Sequence, residues 1–212
     1  VSIGGIEVMH GVFDPLRFDT VRLPSPHCYR CPLGLERDSC ELACADEAER
    51  MLERHAPQLA GLVLEPLVQG AAGIVTHPGG YLSRMRAACS RLGIVLIADE
   101  VAVGFGRTGT LFACEQEQVT PDLMCLGKGI SGGYLPLAAT LATEQVFEAF
   151  LGEVDSGRTF FHGHTYTGNQ LACAAGLASL DLLEPLLPEL PARGERLGEL
   201  LDEQVAPLSH VG

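Results

Sequence analysis

Two residues of this chain, Asp99 and Lys128, have side chains suited to act together. Lys128 is its single lysine, set against thirteen arginines. A guanidinium stays protonated, whereas a lysine amine can lose its proton and attack a carbonyl to form an imine. An acid suits the same chemistry. A carboxylate facing a pyridine nitrogen keeps it protonated, and the ring then becomes an electron sink for a carbanion. Val101, just beyond Asp99, is suited to pack against the flat face of such a ring. Gly127 and Gly129 leave the backbone beside the lysine bare, so a bulky ligand could approach closely. Taken singly, each motif has a plainer reading. An acid after a strand is often a cap, and Gly-Lys-Gly is often a solvated turn.

The elements that must position this pair follow from the apolar pattern. Residues 94–98 form a continuous aliphatic run, which predicts a strand buried on both faces, and 123–126 predict a second. If the two are parallel neighbours, Asp99 and Lys128 leave the sheet at one edge, where open α/β sheets bind ligands. Upstream, 59–67 reads as a buried strand. Leu82, Met85, Cys89 and Leu92 recur at helical spacing over about 80–92, with Gly93 as the cap. That strand–helix–strand run predicts a right-handed crossover. An earlier amphipathic helix begins near Ser39 or Cys40 and ends at Pro57, with Leu42, Ala45, Leu52 and Ala56 inward. Further on, 137–141 reads as a strand, and Thr143 is suited to cap a helix over 144–151. Asn169 opens a helix of small residues, and a last amphipathic helix lies near 190–205.

Composition narrows the class. A chain of 212 residues supports one sizeable core, and its aliphatic and glycine content suits an α/β protein. A formal charge of −13 argues against nucleic acid or an anionic membrane as partner. No apolar run is read as a membrane span and no export signal is visible, so a cytoplasmic protein with reduced thiols is expected. The start at Val1 and the end at Gly212 read as those of a piece of a longer protein.

Read together, D-E-V-x-x-G-F-G-R-T-G from Asp99, P-D at 121–122, G-K-G at 127–129 and G-G-Y-L-P-L from Gly132 say more than any motif alone. The combination resembles the fold-type I, class III (ω-) aminotransferases that use pyridoxal phosphate. The resemblance implies an α/β fold, a mostly parallel sheet with flanking helices, incomplete at both ends. It divides the chain into an irregular Cys-rich segment and helix (1–58), the core of the cofactor-binding large domain (59–185), and the start of a helical connection (186–212). Lys128 would carry the cofactor, Asp99 would face its ring nitrogen, and Val101 would pack on the ring. Thr165 would reach the cofactor phosphate of a neighbouring subunit, which implies a homodimer. The phosphate cradle and the substrate-binding arginine would lie outside residues 1–212, leaving these residues inactive by themselves.

The stretches 64–73, 97–109, 127–140 and 160–174 resemble a biotin-pathway branch of that family, and the resemblance implies S-adenosylmethionine as amino donor and 8-amino-7-oxononanoate as acceptor. Ala71 and Ala72 stand where many ω-aminotransferases carry a gating glutamate, which disfavours an ornithine- or 4-aminobutyrate-type enzyme. Another class III aminotransferase or an aminomutase stays open, as does a scaffold holding zinc.

That last alternative comes from Cys28, Cys31, Cys40 and Cys44, whose spacing is within the range of zinc ligands. Reduced, packing thiols are the other reading. No metal ligand is assigned to the site, and His162 and His164 read as a turn. The loop Gly104, Gly106 and Gly109 holds Arg107, which could clamp the loop or contact substrate; neither it nor Arg158 matches the resembling family's carboxylate-binding arginine.

Overall fold

A computed structural model describes residues 2–210. Helix α1 (Glu7–His10) and a 3-10 turn (Gly11–Leu16) precede a long irregular segment and then α2 (Ala43–His55). There follow β1 (Gly61–Leu64), the short strands β2 (Val68–Gln69) and β3 (Val75–Thr76), α3 (Tyr81–Leu92), β4 (Val95–Asp99), β5 (Leu123–Leu126) and β6 (Ala139–Ala142). The helices α4 (Glu144–Glu148), α5 (Gln170–Leu183) and α6 (Leu190–Gln204) complete the described residues.

The main sheet has the order β1-β4-β5-β6. β1 and β5 both run parallel to β4, with Leu62 opposite Leu96 and Asp99 opposite Cys125. β6 is antiparallel to β5, so the sheet is mostly rather than wholly parallel. The core lies where α2 and α3 cover this sheet: Ala45, Ala48 and Leu52 meet Leu82, Met85 and Cys89 over Leu96 and Ala98 of β4. Fully burying a side chain such as Leu52, Leu82, Met85 or Leu96 contributes about 1.5–3 kcal/mol.

Polar groups fix the helices to the strands. The Glu117 carboxylate accepts from the N–H groups of Gly80 (2.9 Å) and Ser83 (2.7 Å), which are orphan donors at the start of α3. Gly93 ends α3 in the left-handed region (φ 69°), with its N–H on the Cys89 carbonyl, as the sequence predicts. Asp122 accepts from Leu96 N–H and from Arg86, each at 2.7 Å, and so ties β5 to β4. Burial opposes its charge, but these donors outweigh that penalty and hold the carboxyl below its usual range.

Several expectations are corrected. The strand expected over 59–67 stops at Leu64, because Pro66 and Leu67 (φ 61°) turn the chain toward β2. In β4 only Leu96 and Ala98 are buried, while Val95, Ile97 and Asp99 are half-buried, so one face is not fully covered. Helix α2 starts at Ala43 rather than near Ser39 or Cys40, since Glu41 (φ 47°) and Leu42 (φ 61°) are both left-handed. The strand expected over 137–141 is shifted to Ala139–Ala142. Thr143 precedes α4 but its side chain makes no capping bond, and α4 ends at Glu148. Asn169 does cap α5, its side chain accepting from Ala172 N–H at 3.0 Å.

The helical run Gln170–Gln204 is long and apolar enough, by length and composition alone, to cross a membrane. Pro185 and Pro188 divide it into α5 and α6 through a 3-10 segment, Glu184–Glu189.

Candidate active site

Asp99 ends β4 and Lys128 follows β5, so the parallel pairing brings the acid and the amine to the same edge of the sheet. Gly127 separates the lysine from the last residue of β5. Asp99 is half-buried and its Oδ1 accepts from Val101 N–H at 3.1 Å, which leaves Oδ2 for another donor. Beneath it, Cys125 is raised in pKa by burial first and by the negative charge of Asp99 second.

Lys128 is exposed and opens a 3-10 turn, Lys128–Ser131, with φ 44°. A left-handed lysine stores strain on the order of 1–3 kcal/mol and persists only where its surroundings enforce it. Four contacts do so. A Cβ on Gly127 would lie 3.3 Å from Val101 Cγ1, and one on Gly129 would lie 2.8 Å from Phe105 Cβ. From the helical side, Ser179 Oγ donates to Gly129 O at 3.2 Å, and a Cβ on Gly176 would sit 3.0 Å from Leu137 and 3.3 Å from Ile130 O.

The flanking glycines therefore have another role than expected. The space bared by Gly127 and Gly129 is filled by Val101 and Phe105, not left for a ligand. The open space lies instead on the far end of the turn: a cavity of about 310 Å³ lined by Lys128, Ser131, Gly133, Tyr134, Leu135 and neighbours. Asp99 and Val101 do not line it, so Lys128 is the residue common to the cavity and the strand edge.

Glu100, read from sequence only as an accompanying loop acid, is fully buried. Its Oε2 accepts from Ala113 N–H at 3.0 Å and its Oε1 from Cys114 N–H at 2.8 Å. Its own N–H donates to Cys125 O, and its carbonyl accepts from Gly104 N–H at 2.9 Å. Glu100 thus ties β5, the glycine loop and the 3-10 turn Ala113–Glu117 to the residue between Asp99 and Val101. The sequence signal was the acid pair itself, whose second member had no assigned partner.

Other predicted residues are not drawn in. Thr165 lies in an exposed turn and makes no hydrogen bond to the strand edge among the described residues. Arg107 is exposed and neither clamps its loop by a hydrogen bond nor pairs with an acid among the described residues. Arg158 donates to Leu151 O at 3.3 Å. His162 stacks on Phe160, and His164 Nδ1 accepts from Tyr166 N–H at 3.1 Å. Among the described residues no three His, Cys, Asp or Glu side chains are grouped to hold a metal.

The family described as aminotransferase class-III matches residues 7–211. The chain belongs to this family. It is similar to adenosylmethionine-8-amino-7-oxononanoate aminotransferase of Nitratidesulfovibrio vulgaris, 57% identical over the whole chain and 39% of the relative's length. It also resembles the protein of that name from Geobacter sulfurreducens, 56% identical over the whole chain and 47% of the relative. The chain thus spans less than half the length of these relatives. Among solved structures, the adenosylmethionine-8-amino-7-oxononanoate aminotransferase of Methanocaldococcus jannaschii superposes with TM-score 0.89 at 39% identity, over the whole chain and 46% of that one. An (S)-enantioselective ω-transaminase from Thermomicrobium roseum superposes with TM-score 0.83 at 37% identity, over 96% of this chain and 46% of that one. The fold class expected from the sequence, an α/β fold with a mostly parallel sheet and flanking helices, is therefore correct for a member of this family.

Proposed function

We propose that the protein transfers an amino group from S-adenosylmethionine to 8-amino-7-oxononanoate, with pyridoxal phosphate held at the edge carrying Asp99 and Lys128. The observation that supports this is the parallel pairing of β4 and β5, by which an acid and the chain's single lysine leave the sheet at the same edge. The residues fit the group. Lys128 is exposed beside a cavity of about 310 Å³, and Asp99 keeps one carboxylate oxygen free of the Val101 N–H.

When bound, pyridoxal phosphate supplies an aldehyde that condenses with amines and a ring that withdraws electrons from the carbon beside the nitrogen. Lys128 would hold the group through its Nζ, the chain's single lysine amine, and once free that amine would serve as the base and acid that moves a proton between two carbons on its own face. Asp99 Oδ2 would accept a hydrogen bond from the protonated ring nitrogen. Val101, seated on Gly127, gives the ring an apolar floor. Thr165 donates its hydroxyl to the cofactor phosphate of a second subunit in a homodimer. The small residues Ala71 and Ala72, both exposed, leave room for a bulky donor.

Reduction of the whole protein with borohydride in the presence of pyridoxal phosphate tests the site. The expected label is on the peptide containing Lys128, and a label confined to the N-terminal amine overturns the assignment. Turnover with S-adenosylmethionine and 8-amino-7-oxononanoate tests the substrates. Turnover with glutamate or β-alanine instead moves the protein to another branch of the same family.

A further inference from the structure

The cysteine quartet stands apart from the lysine site, and the proposal about it is independent of the reading above. We propose that Cys28, Cys31, Cys40 and Cys44 bind one zinc ion as a structural tetrathiolate site. All four line a single cavity of about 10 Å³, with His27 and Arg37 on the same wall. A void of that size admits the centre of about one water-sized sphere. The quartet spans a turn (Cys28 and Cys31), the residue two before the helix is entered (Cys40 ahead of Leu42), and the first turn of α2 (Cys44).

Two further observations point to a ligand there. Glu41 and Leu42, lying between the last two cysteines, are both left-handed non-glycine residues, with φ 47° and 61°. Consecutive strain of this kind costs on the order of 1–3 kcal/mol per residue and collects at ligand clamps. It delays the start of α2 and lies between Cys40 and Cys44, both of which line the cavity. Secondly, no helix or strand is formed between Leu16 and Ala43. A structureless stretch of that length is uncommon in a compact domain, beyond the usual limit of about 12–15 residues, and calls for a staple. All eight cysteines are free thiols, so no disulfide supplies it.

The sulfurs are not gathered to ligand distance, since no group of three such side chains is placed to hold a metal among the described residues. Binding therefore includes rotation of the thiol side chains inward around the ion, with release of their protons. Four thiolates around one divalent ion carry a net charge of about −2, which Arg37 on the cavity wall partly offsets. Zinc, with no geometric demand beyond tetrahedral coordination, suits such a site.

Elemental analysis of the whole protein, purified in reductant without chelator, tests the proposal. The expected result is about one zinc per chain. Cys31→Ser, at a half-buried position, should remove most of it, whereas Cys173→Ser, at an exposed position outside the quartet, should keep it. A cobalt-loaded sample of the unsubstituted protein should show thiolate-to-cobalt charge-transfer absorption of a tetrahedral site, a readout that does not depend on any variant folding. Metal-free protein whose quartet thiols alkylate freely in the folded state overturns the proposal. So does iron as the bound metal, or a disulfide between any two of the four.

Discussion

Replacing Glu100 by glutamine removes one carboxylate oxygen from a fully buried anchor while keeping the side chain's shape. In the native chain both oxygens accept backbone N–H groups, from Ala113 at 3.0 Å and Cys114 at 2.8 Å. Glutamine keeps one acceptor and turns an NH2 group toward the other N–H. Losing one hydrogen bond to a charged group costs about 1.5–3 kcal/mol, and leaving a buried donor unmatched costs about 1–3 more. The expected destabilisation is therefore about 2.5–6 kcal/mol, read as a lower urea midpoint at unchanged slope for the whole protein. A purely structural role would end there. Because Glu100 lies between Asp99 and Val101, Glu100→Gln should also lower the pyridoxal phosphate content at concentrations where the variant is folded. Met85→Ala, a core truncation on α3 that costs a similar 2–5 kcal/mol or so, should leave that content unchanged. A Glu100→Gln loss below about 0.5 kcal/mol would refute the anchoring argument, since that is the range of inert surface changes. Equal cofactor content in the two variants would reduce Glu100 to packing.

Three further outcomes are expected. Gly129→Ala places a Cβ 2.8 Å from Phe105 Cβ, so the lysine turn must shift; stability should fall by about 1–3 kcal/mol and borohydride labelling of Lys128 should slow, whereas an unchanged melt and label would show that the contact is not tight. Burial holds the His77 imidazole neutral, lowering its pKa from 6.5 to about 4 with neither ring nitrogen hydrogen-bonded among the described residues. The unfolded chain binds the extra proton between those values, so this stability is complete above 6.5 and is lost as pH falls toward 4, by about 2 kcal/mol at pH near 5. Urea unfolding across that window should show a slope that His77→Phe flattens, and an equal slope in both proteins would contradict it. Mixing Lys128→Ala with Thr165→Ala subunits should regenerate one site with both native residues, measured as partial recovery of cofactor affinity; no recovery would remove Thr165 from the neighbouring subunit's site.

The strand edge was legible because uninterrupted aliphatic runs at 94–98 and 123–126 leave few alternatives to paired strands, and β4 and β5 pair in parallel as expected. α3 was legible for the same reason, its period and its Gly93 cap agreeing. What the sequence misplaced depends on contacts across the chain. Gly127 and Gly129 are bare in sequence, and only the fold reveals Val101 and Phe105 occupying the space above them. The start of α2 could not be read from periodicity, because the left-handed Glu41 and Leu42 interrupt a sequence otherwise suited to helix. Glu100 drew no role from the sequence, since nothing local announces that Ala113 and Cys114 will present their N–H groups to it.

The glycines and Glu100 concern one object, the conformation of Lys128. A motif such as Gly-Lys-Gly states which residues are present but not what keeps the lysine in a left-handed turn at φ 44°. That work is divided among Val101 and Phe105 from the loop after β4, and Gly176 and Ser179 from α5. The loop is itself fixed by Glu100 to the turn at Ala113–Glu117. Strain survives when several independent supports over-determine it, so losing any one should relax the turn only in part. The amine's position is thus a property of segments spread from residue 99 to residue 179, although the amine itself is a single residue. It follows that substitutions at Phe105 or Ser179, which touch no reacting atom, should act on Lys128 through its backbone.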